Sequence, residues 1–272
     1  MPELPEVETT RRGLIPWMRG ATIADLVVRE PRLRWPIPAD LAVRLRGRVV
    51  TDLTRRGKYL IVSLDKGALI VHLGMSGSLR VVGPEVPPGP SEPFDLVLAG
   101  ASPMAVRMRD PRRFGALLFS EDPLHHPLIA PLGPEPLEAG FDGAYLRARG
   151  RGRTIAIRDL LLNGHIVAGI GNIYANEALF EAGIHPGRAA GRISADRYEA
   201  LAQAVIAVLS RAVEAGGTTL KDFAGSDGRP GYFQLQLRVY GREGRPCPRC
   251  ATPIARLSGG GRSGYYCLKC QR

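Results

Sequence analysis

All four cysteines of this 272-residue chain fall after position 246, as Cys247-Pro-Arg-Cys250 and Cys267-Leu-Lys-Cys270. Each pair fits one tight turn, and two such turns facing each other present four thiolates tetrahedrally. The spacing predicts a zinc ribbon. Its single Zn2+, ringed by sulfur with no open position, serves folding rather than chemistry. Two disulfides are the competing arrangement, and a reducing cytosol disfavours them. The acidic start MPELPEVE has no signal-peptide core, and no apolar run approaches membrane-spanning length. The expectation is therefore a cytoplasmic, nucleoid-associated bacterial protein with no membrane partner.

A formal net charge of +11, on a chain that is 44% hydrophobic and 23% charged, points to a globular protein with a polyanionic partner. A basic surface kept for solubility gives the same total, so placement matters. Residues 238–272 hold eight Lys/Arg against one Glu, and Arg147, Arg149, Arg151, Arg153 and Arg158 form a second run with no acid inside it. Stretches of this kind track phosphates.

The apolar pattern predicts a leading helix over 3–15. Pro5 suits its first turn, Glu6 and Glu8 suit its positive end, and Leu4, Val7 and Leu14 share a stripe. Residues 21–119 read as short strands between Gly/Pro turns, among them 58–64, 68–74, 94–99 and 105–109, which suggests a sandwich or flattened barrel. The Pro-rich segment 81–93 reads as a surface connection. Helices follow at 157–164 and 173–183 around a Gly-punctuated double turn, then a longer one from Ser194 to Gly216. The polar loop 216–231 is too elaborate for a connector. The expected fold class is α+β and multidomain: a two-layer β-sandwich with its leading helix (1–130), a linker (131–152), a helix–two-turns–helix domain (153–237) and a ribbon of two hairpins (238–272).

Chemistry gathers at the N-terminus. Initiator methionine is normally removed before a small residue, leaving Pro2 with a free secondary amine that is partly unprotonated near neutrality. Attack of such an amine on a sugar C1′ gives an iminium that cannot lose charge by shedding an N–H, so it is an electron sink for elimination. Glu3 and Glu6 are placed to protonate a ring oxygen and shuttle protons. An ordinary helix start reads the same way when taken alone. Only four of the 37 basic residues are lysine, at 58, 66, 221 and 269. Lys58, beside Arg55 and Arg56, is either a solvated strand start or a compact ammonium needed as such. Met75 in HLGMSG, with Arg112 and Phe114 in DPRRFG, sits in strand-to-turn settings. These three are core or solvated residues, or else the wedge and donor that an enzyme extruding a base requires.

MPELPEVET, RRGKYL, HLGMSGSLR, DPRRFGA, LGPEPL, VAGIGNIYANE, GIHP, GGTTLKDF, SDGRPGYF, VYGREG and the cysteine pattern span nearly the whole chain. Together they resemble bacterial formamidopyrimidine-DNA glycosylase. The wider family includes endonuclease VIII, an oxidised-pyrimidine glycosylase whose members usually begin Met-Pro-Glu-Gly-Pro. Leu4, the Met75/Arg112/Phe114 trio and the full 216–231 loop favour the purine branch. The resemblance implies Pro2 as nucleophile, Glu3 as general acid, Glu6 as its support and Lys58 as a phosphate ligand that assists base departure. It implies Met75 and Phe114 as wedges and Arg112 as partner of the estranged cytosine. Arg153, Asn172 and Arg262 would contact phosphate. Thr218, Thr219, Lys221 and Tyr232 would belong to a loop covering the extruded base. The segment Arg153–Arg158 departs from the family in lacking the lysine often found there, and Asn176 stands where the family sometimes has Asp. The implied partner is double-stranded DNA carrying oxidised purines or abasic sites, bound by a monomer. A non-catalytic zinc-containing DNA-binding protein is the competing class, and it leaves Pro2, Glu3 and Lys58 unexplained.

Overall fold

The computed structural model describes residues 1–101, 103–217, 236–258 and 261–272. The chain divides into two compact units, the first built on Met1–Pro131 and the second on Leu132–Glu214 with the described C-terminal residues.

The first unit opens with helix α1 (Leu4–Met18), begun by a capping box in which the Glu3 N–H donates to the Glu6 carboxylate at 2.8 Å. Pro16 lies inside the helix yet does not end it, because Leu14 and Met18 on the buried stripe hold the last turn down. The strands are β1 (Ile23–Val28), β2 (Val50–Arg56), β3 (Tyr59–Leu64), β4 (Ala68–His72), β5 (Ser78–Val82), β6 (Phe94–Leu98), β7 (Met104–Arg109) and β8 (Ala116–Ser120). Short helix α2 (Leu41–Leu45) lies between β1 and β2. Two antiparallel sheets result, ordered β1-β6-β7-β5 and β2-β3-β4-β8, so the sandwich holds and no barrel closes. Leu60, Val62, Leu69 and Val71 from one sheet meet Leu79, Phe94, Leu96 and Val106 from the other, with Val7, Leu14 and Met18 of α1 in the same core. Ile61 and Ile70, on the opposite face, are buried too, which explains why these strands show no apolar–polar alternation.

Besides the β1–α2–β2 connection, two short ones switch sheets, 73–77 from β4 to β5 and 110–115 from β7 to β8. His72 pairs with Ala116 and Ser78 with Arg109, so the register sets the two crossovers side by side. A Cβ on Gly74 (φ +66°) would lie 2.6 Å from the Phe114 and Gly115 backbone, so only glycine allows this approach.

The second unit contains α3 (Gly143–Gly150), α4 (Ile157–Leu162), α5 (Asn172–Glu181) and α6 (Ala195–Glu214). α3 corrects the expectation of a linker over 131–152. Asp142 caps it by accepting from the Tyr145 N–H at 2.7 Å, and Leu146 is fully buried. α6 buries Leu201, Val205, Val208, Leu209 and Ala212, the predicted stripe. Among its described residues the ribbon has one strand pair, β9 (Ile254–Leu257) with β10 (Gly264–Cys267), and a single bridge, Pro246 to Pro253, where a second hairpin was expected. Glu177 on α5 secures its start, accepting from the N–H groups of Arg238, Val239 and Tyr240 at 2.8–3.0 Å.

Candidate active site and nucleic-acid contacts

Pro2, Glu3 and Glu6 are all buried at the start of α1. The amine on Met1 has its pKa held below the ordinary value, chiefly by burial. Glu3 and Glu6 oppose that shift, and the cations Lys58 and Arg112 reinforce it. Four charged side chains from three separate segments therefore act on one amine. Lys58 is delivered by the two-residue turn between Arg56 and Tyr59, where Gly57 supplies a positive φ of 58°. Gly217 (φ +79°) approaches the same cluster, since a Cβ there would lie 3.1 Å from Glu6 Oε1. The beginning of the 216–231 loop thus reaches the α1 carboxylates, while Thr218, Thr219, Lys221 and Tyr232 lie outside the described residues.

The two crossovers carry the next group. Met75 is 40% exposed and Phe114 43%, large apolar side chains left in solvent on touching turns. The Arg112 guanidinium lies over the Phe114 ring at 5.1 Å. Arg113 has φ +57° and its guanidinium pairs with Glu30 at 2.9 Å, so the two adjacent arginines are sent different ways.

His72 ends β4 beside this group and was not singled out from sequence. Its Nδ1 accepts from the Gly74 N–H at 3.0 Å and its ring lies against Tyr59. Burial, with Lys58 and Arg34 adding to it, lowers its pKa to about 4, so the imidazole is neutral at physiological pH.

In the second unit Asn172, the first residue of α5, donates from Nδ2 to the Ser263 carbonyl at 2.9 Å, which brings the residue after Arg262 to the helix N-terminus. Asn176, fully buried, accepts the Tyr265 N–H at 2.7 Å. Arg262 is exposed. Arg153, also exposed, is fixed through its backbone by Gly150 and Gly191, and no hydrogen bond among the described residues links it to Asn172 or Arg262.

The four cysteine sulfurs lie within 4.8 Å of one another, with Cys250 to Cys267 at 3.4 Å and Cys247 to Cys270 at 3.9 Å. Tetrahedral zinc at about 2.3 Å from each sulfur sets sulfurs roughly 3.8 Å apart, so the donor set fits one structural Zn2+. The Arg249 N–H points to the Cys247 sulfur at 3.4 Å, and the Arg249 side chain stacks on Phe180 and donates to its carbonyl at 2.9 Å. The first metal-binding turn is thereby fastened to the end of α5.

Three segments match established domain families. These are the formamidopyrimidine-DNA glycosylase N-terminal domain over residues 1–117, the H2TH domain of the same enzymes over 132–224, and the zinc finger found in FPG and IleRS over 244–272. The chain belongs to the formamidopyrimidine-DNA glycosylase family. It is 55% identical to the formamidopyrimidine-DNA glycosylase of Methylococcus capsulatus and 53% identical to that of Syntrophotalea carbinolica, each over the full length of both proteins. The crystal structure of the MutM (Fpg) protein from Thermus thermophilus is similar, with a TM-score of 0.88 at 39% identity, covering 99% of this chain and 98% of that one. A complex of Lactococcus lactis Fpg with DNA containing an abasic site has a TM-score of 0.90 at 32% identity, covering 99% of each chain. The fold and the metal site expected from sequence thus agree with the family.

Proposed function

We propose that the chain is a bifunctional DNA glycosylase and abasic-site lyase of base excision repair. Its substrates are 8-oxoguanine opposite cytosine, formamidopyrimidines and abasic sites in double-stranded DNA, and it works as a cytoplasmic monomer. The observation that carries this reading is that Pro2, Glu3 and Glu6 are buried together at the N-terminus, with Lys58 and Arg112 near enough to act on the charge of the Met1 amine that precedes the Pro2 nitrogen. A helix cap alone accounts for Glu3 and Glu6 but not for Lys58 and Arg112 beside them. Full-length relatives named formamidopyrimidine-DNA glycosylase favour the purine branch over endonuclease VIII. Among the described residues no helix is long and apolar enough to cross a membrane.

The chemistry uses the chain's own groups. With Met1 removed, the Pro2 nitrogen attacks C1′ of the damaged nucleotide and gives up its proton, while the bond from C1′ to the base breaks, the base leaving with the bonding pair and taking up a proton. Glu3 gives a proton to the ring oxygen as the sugar opens, and the C1′–nitrogen iminium results. Glu6, hydrogen-bonded to the Glu3 backbone, keeps Glu3 in place. The iminium draws electrons from C2′ on loss of a proton, expelling the 3′ phosphate, and a second elimination expels the 5′ phosphate to leave a one-nucleotide gap. Lys58 holds the phosphate beside the lesion. Met75 and Phe114 fill the space left by the base while Arg112 faces the orphaned cytosine. Asn172, Arg262 and Arg153 hold phosphates, and the zinc ion, when bound, keeps the Arg262 hairpin folded.

Borohydride trapping on a duplex containing 8-oxoguanine tests this reading. The processed protein is expected to become covalently joined to DNA. Equal trapping by a protein carrying an N-terminal extension overturns it.

A further inference from the structure

The turn that displays Arg112 and Phe114 is built around a residue to which no role has yet been given. Asp110 is 1% exposed, although it belongs to a connection whose next four residues are all exposed. Its Oδ2 accepts the Gly115 N–H at 2.7 Å. Burial pushes the Asp110 carboxyl above the usual carboxylate range, and the nearby backbone N–H groups of Gly115, Arg112, Arg113 and Phe114 oppose that rise. The Gly115 N–H is the one hydrogen bond to this carboxylate among the described residues, Oδ1 being buried without a partner, while the Asp110 backbone carbonyl accepts the Arg113 N–H at 3.2 Å. Asp110 thus ties both the middle and the end of the turn to one buried point.

Neighbouring contacts show that the arrangement is specific. Arg113 adopts the left-handed region, φ +57°, which costs a non-glycine residue energy, and its N–H donates to the Asp110 carbonyl at 3.2 Å. Gly115 can have no side chain, because a Cβ would lie 2.8 Å from Asp110 Oδ2 and 3.0 Å from the His72 carbonyl. The Asp110 N–H is itself fixed, donating to the Ser91 carbonyl at 2.7 Å. Arg113 is drawn off to Glu30, and Arg112 is left on the outer side, over Phe114.

We propose, resting on the reading of Arg112 given above, that Asp110 is the positioning residue for Arg112 and Phe114 and thereby sets the preference for cytosine opposite the lesion. Asp110 touches neither the DNA nor the reacting atoms. It acts by converting a six-residue crossover into a rigid mount, so that the guanidinium meets cytosine's acceptors without first ordering the loop.

Asp110→Asn is the decisive variant because it keeps size and shape. If the amide oxygen retains Gly115, the NH2 group replaces the buried Oδ1, and the negative charge that the amides of the turn face is lost. In the zinc-loaded enzyme, single-turnover excision of 8-oxoguanine opposite cytosine and opposite adenine is measured for wild type, Asp110→Asn, Arg112→Ala and the double variant. The cytosine-to-adenine ratio is expected to fall about tenfold or more in Asp110→Asn, with no further fall in the double variant. Borohydride trapping at a preformed abasic site is expected to stay within about twofold of wild type, since the amine and carboxylates are untouched. A wild-type ratio in Asp110→Asn beside a lost ratio in Arg112→Ala overturns the proposal and leaves the reading of Arg112 standing. A wild-type ratio in Arg112→Ala overturns that reading instead. Amide hydrogen exchange then judges Asp110 separately: faster exchange confined to residues 112–115 of Asp110→Asn supports its positioning role, and unchanged exchange there refutes it.

Discussion

The Arg112 guanidinium lies 5.1 Å from the centre of the Phe114 ring, across Arg113, whose own side chain turns back to Glu30. The pair forms one exposed unit in which a flat apolar ring stands beside a fork of donors. Extrusion of an oxidised guanine leaves cytosine with two acceptors on its pairing edge, which a guanidinium satisfies together. Adenine offers a donor amine that opposes it. Arg112→Ala should therefore lose the cytosine preference, a loss of about 1–3 kcal/mol or roughly tenfold to hundredfold in rate ratio. Single-turnover rates on the two duplexes check this. Arg113→Ala should keep the preference, because Glu30 already holds that side chain.

Glu3→Gln separates catalysis from folding. The glutamine carbonyl still accepts from the first turn of α1, so the capping box and thermal midpoint should change little. The ring oxygen loses its acid, and excision should slow by about 10²- to 10⁴-fold with DNA affinity retained. An N-terminal extension should likewise abolish excision while binding persists. Rate and affinity measured on the same preparations decide whether the defect is chemical.

Metal loss should be felt beyond the ribbon. Cys247→Ser removes one of four ligands, and Arg249, fastened to Phe180 and to Glu181 at 2.7 Å, then loses its fixed backbone. Zinc content should fall to near zero, with weaker DNA binding because the Arg262 hairpin is no longer held. Full affinity in a zinc-free variant contradicts the role given to the ribbon.

What the sequence disclosed and what it hid follow one physical division. The cysteines, Pro2 with its carboxylates, and the Met75/Arg112/Phe114 trio are legible because side-chain chemistry at close spacing is itself the signal. Asp110 and Glu177 were missed, and Asn176 was noted without its role, because they act on backbone amides, and amides carry no sequence signature. Glu177 binds a segment 61–63 residues away. Helix α3 was hidden by glycines at both ends and by arginines that read as an unstructured run, leaving Leu146 as its one large fully buried anchor. The leading helix expected over 3–15 likewise runs on to the buried Met18.

His72 gives the first unit a pH dependence of defined sign. Its imidazole is held neutral in the folded protein, with its pKa lowered to about 4 by burial and by the cations Lys58 and Arg34. In the unfolded chain an ordinary histidine takes up its proton near pH 6.5. Above that value both states are neutral and the group contributes no slope. As pH falls from about 6.5 towards 4, only the unfolded state gains the proton, so folding stability declines by about 1.4 kcal/mol per pH unit from this group. Both tryptophans, Trp17 and Trp35, belong to the first unit, so their fluorescence follows its unfolding in urea without interference from the zinc-bearing unit. His72→Asn keeps an acceptor for the Gly74 N–H but cannot be protonated in this range. Its stability should be lower near neutrality, because the contact with Tyr59 is lost, and flatter between pH 6.5 and 4 than that of wild type. Parallel pH profiles for the two proteins would show that His72 is not held neutral by its surroundings.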